Sequence, residues 1–316
     1  MKKVNLIIPF YNRTEAQLAI VLSSINNQIG VDFSQLDVHL VNDGGKKIDI
    51  SKFEIFKNLE LYLHELPENR GAGVARQYGI DVTDGEYFMF LDSDDQFHFA
   101  GALLEFFNVV KYHGEHQLII ASYLEEYQVM GGEYRYLTHD CYDWKSPVAK
   151  WFNRKYIESE GLRFQDELRI FEDTYFVGLS CQLATDIYYL NSVVYTWMCN
   201  PESTVRANGR SFEYQTHTWA LENRLYLEKI KEKRPELIES TLENYVTDCY
   251  MRYKTFPPVD EAAFWQEHKK IFVAFAPYWH GYTKELQEKV DALSQAPSKW
   301  AKTSTKDFER WVNKSH

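Results

Sequence analysis

The stretch Tyr87-Phe88-Met89-Phe90-Leu91-Asp92-Ser93-Asp94-Asp95 decides how the rest of this 316-residue sequence is interpreted. It opens with five apolar or aromatic residues behind the turn-forming pair Asp84-Gly85, which predicts a strand buried on both faces. Three carboxylates follow within four positions, and acids at the carboxyl end of a buried strand point into the crevice where α/β sheets bind ligands. Such oxygen donors suit Mg²⁺ or Mn²⁺ completed by a diphosphate. A solvated turn that caps the next helix is equally compatible with this stretch alone.

Composition and charge limit the class of protein. With 45% hydrophobic and 16% aromatic residues, we expect one large domain or a domain with an appendage. The net charge of -11, without a basic block, argues against nucleic-acid binding. The four cysteines form no CxxC pair and are expected to be reduced core thiols rather than zinc ligands. No apolar run approaches the ~20 residues that span a bilayer, so the expected location is cytoplasmic or peripheral at the inner face of the membrane.

Short apolar runs alternate with helical patterns in the first hundred residues. Strands are predicted at Val4–Pro9, Val38–Val41, Leu59–Leu63 and Tyr87–Leu91. A helix is expected from Thr14, its N-cap, to about Gln28, and another after Gly71. This alternation predicts an α/β fold with a mostly parallel sheet and helices on both faces. Polar residues follow successive strand ends, which favours a nucleotide crevice over a coincidence of turns.

Five segments occur in a characteristic order: Ile8–Asn12, Val41–Gly45, Asn69–Arg76, Leu91–Asp95 and Phe171–Phe176. Together they resemble the inverting glycosyltransferases of family 2, and the resemblance covers roughly residues 1–206. It implies the GT-A fold, a Rossmann-like mixed and mostly parallel sheet with helices on both faces. Asn42 and Gly45 stand where the family often has Asp and Ser, which weakens the implied base contact at the neighbouring Asp43.

The resemblance assigns roles to particular residues. Nucleotide binding is implied for Pro9, Tyr11, Asn12, Asp43, Arg76 and Asp92. Metal binding is implied for Asp94, with Asp92 beside it. The expected cofactor is Mn²⁺ or Mg²⁺, bound together with the donor diphosphate.

The acidic pair Glu172-Asp173 precedes a predicted helix. On spacing alone it is interpreted as simple capping, because acids in a first helical turn are favoured by the helix dipole. The resemblance reverses that preference and implies that Asp173 is the general base that deprotonates the acceptor hydroxyl. Glu172, Trp151 and Arg206 are assigned to acceptor contact or a lid.

Beyond about Phe212 the pattern becomes helical, so a helical C-terminal region is predicted at 211–316 after a catalytic domain at 1–210. Within that domain, residues 1–96 are expected to bind the nucleotide and 97–210 to form the acceptor and catalytic part. The helical region could dock the acceptor, form a homo-oligomer or contact the membrane peripherally. Its aromatic tail, with Phe308 and Trp311, is expected to pack inside the protein rather than to lie on anionic lipid.

The predicted function is metal-dependent, inverting and non-processive transfer of a single sugar. The donor is expected to be a UDP-sugar, and the enzyme a hexosyl- or N-acetylhexosaminyltransferase. The acceptor is a hydroxyl of a cell-surface glycan, a teichoic-acid-like polymer or a lipid-linked oligosaccharide. Two alternatives remain: a nucleotidyltransferase on the same fold, and a catalytically degenerate module that serves binding or assembly.

Overall fold

The computed structural model describes residues 3–201 and 211–315. The chain divides into two compact units, Met1–Asn200 and Pro201–His316. The predicted domain limit at residue 210 falls at the end of 202–210, outside the described residues. The roles predicted for 1–96 and 97–210 stay predictions.

The first unit is built on one nine-stranded mixed sheet. Its strands are β1 (Val4–Phe10), β2 (Leu36–Asn42), β3 (Leu61–Glu65), β4 (Tyr87–Phe90), β5 (Gln96–Phe97), β6 (Leu118–Gln128), β7 (Tyr134–His139), β8 (Lys150–Asn153) and β9 (Ile187–Trp197). Their order is β3-β2-β1-β4-β8-β6-β9-β5, with β7 on β6. Four pairs are parallel: β1–β2, β1–β4, β2–β3 and β6–β9. Antiparallel pairing is confined to contacts of β8, β5 and β7.

Five helices cover this sheet: α1 (Glu15–Asn26), α2 (Ala72–Asp81), α3 (Ala102–His113), α4 (Arg154–Glu160) and α5 (Glu172–Leu183). Strand β4 shows why helices lie on both faces. Tyr87 and Met89 join the buried cluster to which α1 and α3 contribute, whereas Phe88 and Phe90 point the other way. The Phe90 ring lies 6.3 Å from that of Phe176 in α5. The predicted burial of this strand on both faces is confirmed.

The carboxyl ends of β1, β2 and β4 meet at one edge of the sheet because the three strands are parallel neighbours. Phe10 is paired with Asn42, while β4 ends opposite Ile7. The Ile7 carbonyl accepts the Leu91 N–H, so the backbone polar groups of Ile7 face β4. The backbone of Pro9, two residues later, faces the same side, at a point where β4 has already ended. Its missing N–H therefore costs no ladder bond, which explains a proline inside a central strand.

The second unit is helical, as predicted. Its helices are α6 (Thr216–Lys233), α7 (Ile238–Thr255), α8 (Glu261–Phe275), α9 (Lys284–Gln295) and α10 (Phe308–Lys314). Phe308 and Trp311 are buried, with ring centroids 4.9 Å and 5.5 Å from Tyr250. The expected packing of the aromatic tail inside the protein is confirmed. Over residues 3–201 and 211–315, the structure contains no helix with the length and apolarity of a bilayer span.

Candidate active site

The loop after β2 is organised by Asn42, which is fully buried. Its amide nitrogen donates to the carbonyl of Lys46 at 3.0 Å and to Oε2 of Glu65 at 2.9 Å. Its amide oxygen accepts the Gly45 N–H at 2.9 Å. A carboxylate could accept but not donate, so an Asn suits this position better than the Asp expected from the family pattern.

Asp43 holds the loop that leads into α2. Its carboxylate accepts the backbone N–H groups of Arg70 at 2.9 Å and Gly71 at 2.8 Å. The Asn69 side-chain amide also donates to it, at 2.9 Å. The residue is only 3% exposed, so these bonds fix the path of the loop. This anchoring role stands beside the predicted base contact, which stays a prediction.

The loop after β1 presents an exposed aromatic ring on a strained backbone. Asn12 has a φ of 52°, a region that residues other than glycine rarely adopt outside functional sites. Its side-chain oxygen accepts the Lys46 N–H at 3.0 Å, which ties the β1 loop to the β2 loop. Tyr11 is 49% exposed and offers a face for a nucleoside base, whereas Pro9 is buried inside β1.

The acidic turn after β4 is anchored to the protein interior by the buried Asp95. Its carboxylate accepts the Tyr195 hydroxyl at 2.7 Å and the Met198 N–H at 2.8 Å. Burial raises the pKa of Asp95 well above its ordinary value, and the nearby charges of Asp92 and Asp94 raise it further. The Asp92 N–H donates to the same Tyr195 oxygen at 3.0 Å. Asp95 is therefore an anchor, whereas Asp92 and Asp94, just beyond the carboxyl end of β4, are half-buried.

The carboxylates of Asp92 and Asp94 each form an ion pair with an arginine. Nη2 of Arg13 lies 2.7 Å from Oδ2 of Asp94, and its Nε donates to the Ser93 hydroxyl at 3.2 Å. Nη2 of Arg76 lies 2.8 Å from Oδ1 of Asp92. The turn is thus charge-compensated within the protein itself.

Arg76 joins the β4 turn to the start of α5. Its Nη1 lies 3.2 Å from Oε1 of Glu172, while Nη2 holds Asp92. The guanidinium lies 5.9 Å from the centre of the Phe90 ring, and the side chain is 6% exposed. Burial lowers the pKa of Arg76, but Asp92 and Glu172 raise it more, so the group stays charged. One buried cation therefore fixes two carboxylates from distant parts of the chain.

Glu172 and Asp173 occupy the first turn of α5. The preceding Phe171 has a φ of 65° and makes no side-chain cap, so the backbone is strained where the two acids begin. Burial raises the pKa of Glu172 to about 8, and the charge of Asp173 adds to the rise. Burial also raises the pKa of the half-buried Asp173, against the opposing charge of Arg76. Two neighbouring acids with raised pKa values are typical of a proton-transfer site.

Gly73 lies against Glu172, and an added Cβ would sit 2.7 Å from the Glu172 Cγ. We expect Gly73→Ala to lower the melting temperature by several degrees, because overpacking costs about 1–3 kcal/mol. That outcome opposes the usual gain of roughly 0.5–1 kcal/mol for Gly→Ala in a helix. A thermal melt measures the change. Gly101→Ala is the control, since its Cβ would meet, at 2.8 Å, the exposed Phe99 ring, which can move aside. A Gly73→Ala variant that melts at a higher temperature than wild type would contradict the close packing of Gly73 against Glu172.

The family model described as glycosyl transferase family 2 matches residues 5–184. This chain belongs to that family. A crystal structure of Staphylococcus aureus TarS 1–349 in complex with UDP-GlcNAc is similar over 100% of this chain and 91% of that one. The TM-score is 0.70 at 17% identity, a likeness of fold alone, and it confirms the GT-A type fold.

Two curated relatives are similar in sequence. The protein EpsH of Bacillus subtilis (strain 168) is 25% identical over 263 residues, covering 74% of this chain and 72% of EpsH. The poly(ribitol-phosphate) beta-N-acetylglucosaminyltransferase TarP of Staphylococcus aureus (strain N315) is 36% identical over 128 residues, covering 39% of this chain and 37% of TarP. The chain spans about a third of the length of several curated relatives that it matches.

Of the three residues assigned to the acceptor or a lid, Trp151 is the one that the structure contradicts. Trp151 has no exposed surface; its ring stacks on Phe106 at 5.1 Å and lies 5.3 Å from Tyr87. The prediction for Trp151 is therefore wrong in this structure, because β8 lies between β4 and β6 in the interior of the sheet. Arg206 lies outside the described residues. Glu172 is buried and its carboxylate binds Arg76, so its assignment to the acceptor or a lid stays a prediction.

Arg13 is one of the site residues that the sequence prediction did not include. It follows Asn12 directly, so the shared edge of β1 and β4 was the signal that could have paired it with the acidic turn. Asn200, whose amide donates to Oδ2 of Asp94, had no such signal because it lies over a hundred residues from that turn.

The donor set is compatible with a divalent cation under one condition. Within residues 3–201 and 211–315, no three His, Cys, Asp or Glu side chains converge to hold an ion by themselves. Mg²⁺ at phosphate sites takes only one or two carboxylates and completes its shell with substrate phosphates and water. Asp94, with Asp92, supplies that number of hard oxygen ligands. The condition is that the cation competes with the arginines that these carboxylates now bind.

Proposed function

We propose that this chain is a metal-dependent inverting glycosyltransferase that transfers a single sugar from a UDP-sugar to an acceptor hydroxyl. The observation that carries the proposal is the Arg76 bridge, which joins Asp92 at 2.8 Å to Glu172 at 3.2 Å. It brings the end of β4, suited to a diphosphate, to the start of α5, where Asp173 lies. A donor site and a base therefore border one cleft.

The residues divide the chemistry between them. Asp173 takes the proton of the acceptor hydroxyl as its oxygen attacks the anomeric carbon. The bond from that carbon to the diphosphate breaks, and its electron pair leaves with UDP. A single displacement inverts the anomeric centre, so an α-linked donor gives a β-glycoside. A divalent cation held by Asp94 and Asp92 would neutralise the charge of the departing diphosphate.

The neighbouring residues organise the two ends of the reaction. Tyr11, with its exposed ring, offers the uridine base a stacking face. Asp43 fixes the loop before α2 and so shapes the base pocket. Arg76 orients Glu172 and keeps a positive charge near Asp173, which favours its ionised form.

The relatives suggest the donor and acceptor class. TarS forms a complex with UDP-GlcNAc, and TarP is named as an N-acetylglucosaminyltransferase acting on poly(ribitol phosphate). We therefore propose an N-acetylhexosamine donor and a teichoic-acid-like polyol-phosphate acceptor, with transfer of one sugar at a time. The predicted cytoplasmic or membrane-peripheral location, and a homo-oligomer through the C-terminal helices, stay predictions.

A thermal-shift panel of UDP, GDP, CDP and UDP-sugars, each with Mn²⁺ and with chelator, tests the proposed donor. A ligand at a hundredfold excess over its Kd stabilises the native state by about 2.7 kcal/mol. We expect uridine ligands with Mn²⁺ to raise the melting temperature by roughly 5–10 °C, for a unit of this size. GDP and CDP should raise it much less. No shift with any nucleotide would favour the assembly-module alternative.

A further inference from the structure

We propose that the guanidinium of Arg13 pairs with the carboxylate of Asp94 before the cation binds. When the cation and the donor bind together, the guanidinium moves to the donor diphosphate and leaves Asp94 to the cation. This inference rests on the proposed function and deepens it. Arg13 would make binding of the cation and of the diphosphate mutually dependent.

The contact of Arg13 is specific rather than incidental. The guanidinium reaches two consecutive residues of the acidic turn, Oδ2 of Asp94 at 2.7 Å and the Ser93 hydroxyl at 3.2 Å. The two side chains of the ion pair are 20% and 26% exposed, so the pair is shielded from solvent more than most surface pairs. The residue stands between the strained Asn12 and Thr14, the N-cap of α1, which fix its backbone.

A cation on Asp94 and Arg13 on Asp94 exclude one another. Oδ2 already accepts from Arg13 and from the amide of Asn200. A divalent ion bound there would meet the guanidinium at close range, and like charges in a partly buried site repel strongly. Entry of the cation alone therefore requires that Arg13 leaves without a new anionic partner. We expect the free protein to bind Mn²⁺ weakly for this reason.

A diphosphate removes that obstacle. It offers oxygen ligands to the cation and an anionic partner to the released guanidinium, whose planar fork matches phosphate oxygens. Cation and UDP should then strengthen each other's binding by the same factor, as thermodynamic linkage requires. Arg76 cannot take this part, because it is held by both Asp92 and Glu172 and is 6% exposed.

The test measures Mn²⁺ binding by the loss of the free-ion EPR signal, and UDP binding by calorimetry. We compare wild type with Arg13→Gln and Arg13→Lys. Without nucleotide, Arg13→Gln should bind Mn²⁺ roughly tenfold more tightly, because a charge-assisted competitor is gone. At saturating Mn²⁺ it should bind UDP several-fold more weakly, since the phosphates lose a donor. Arg13→Lys, which keeps the charge without the fork, should resemble wild type in Mn²⁺ affinity and fall between the two for UDP.

The control is Arg163→Gln, which removes one positive charge from another arginine pair, 2.6 Å from Asp81 at the far end of α2. It should change neither affinity. If UDP binding depends on Mn²⁺ but Arg13→Gln binds Mn²⁺ as wild type does, or more weakly, the role of Arg13 is wrong. If wild type binds no Mn²⁺ even with UDP, the proposed metal-dependent function fails as well, so the two failures are distinguishable.

Discussion

Asp173→Asn should lower sugar transfer by roughly 10²–10⁴-fold, the usual contribution of a positioned general base. The amide has nearly the same shape as the carboxylate and can still accept the Thr174 N–H, which lies 2.7 Å from Oδ1. The start of α5 should therefore keep its conformation. Binding of the UDP-sugar should change by less than about twofold, because the loss falls on proton transfer rather than on donor contacts. Single-turnover transfer and donor titration measure the two effects separately.

Asp186→Asn is the matched control for this variant. It makes the same change at a carboxylate whose side chain is 50% exposed, at the start of β9, where it contacts His116. Its transfer rate should equal that of wild type. Full activity in Asp173→Asn would remove Asp173 from the mechanism. A wild-type protein that binds donor but transfers nothing under any condition would support the degenerate binding module instead.

The pH dependence of transfer follows from the same two acids. Asp173 must be ionised to act as a base, and burial raises its pKa. Glu172, beside it, has a pKa raised to about 8. Because the protonated forms persist to higher pH, transfer should fall as pH decreases through the raised pKa values. The acid limb should therefore lie above the ordinary carboxyl pKa of about 4. The apparent pKa belongs to the pair rather than to either residue.

Asp94→Asn should weaken Mn²⁺-dependent binding of UDP by at least about a hundredfold. Loss of an outer partner of a metal ligand alone typically costs 10–100-fold in metal affinity, so loss of the ligand charge should cost more. The amide can still accept from Arg13 and Asn200, so the acidic turn should remain folded around Asp95. Calorimetric titration of UDP with Mn²⁺ and with chelator measures the effect.

The chelator arm identifies what Asp94 does. In wild type, chelator should reduce UDP affinity to nearly the level of Asp94→Asn, and in the variant it should change little further. Asp186→Asn should respond as wild type does. Equal UDP affinity with Mn²⁺ and with chelator in the wild-type protein would remove the metal from the account.

Local signals made much of the fold predictable. Helix α1 was predictable because a helix is specified by neighbours three and four residues apart. Its signals are the capping box of Thr14 with Gln17 and a buried face formed by Leu18, Val21, Leu22 and Ile25. Strand β4 was predictable because a strand buried on both faces appears in the sequence as an unbroken run of apolar and aromatic residues. The third strand was placed two residues early, since Leu59 ends a turn by donating its N–H to Phe56.

Elements that depend on long-range pairing were not predictable. Strand β8 has four residues, and its partners β4 and β6 are distant in sequence, so nothing local marks Lys150–Asn153 as a strand. Trp151 was therefore not recognised as a core residue of a strand and was assigned to acceptor contact or a lid. Strand β9 is mostly half-buried and shows no clean alternation.

The candidate site divides in the same way. Its acids were found because they stand at strand ends and helix starts, features that a sequence records. Of their partners, Arg76 was found, but Arg13 and Tyr195 were not, because Arg13 reaches Asp94 across 81 positions and Tyr195 reaches Asp95 across 100. Charge compensation inside the cleft depends on the sheet bringing these segments together.

The anomeric configuration of the sugar that the protein releases when water replaces the acceptor tests the central claim most directly. Wild type would be incubated with Mn²⁺ and the α-linked UDP-sugar that gives the largest thermal shift, and the released sugar followed by ¹H NMR before it mutarotates. A single displacement with Asp173 as base predicts the β-anomer first, with UDP released in equal amount and the rate strongly reduced in Asp173→Asn. Initial release of the α-anomer, or release that Asp173→Asn leaves unchanged, would contradict the account.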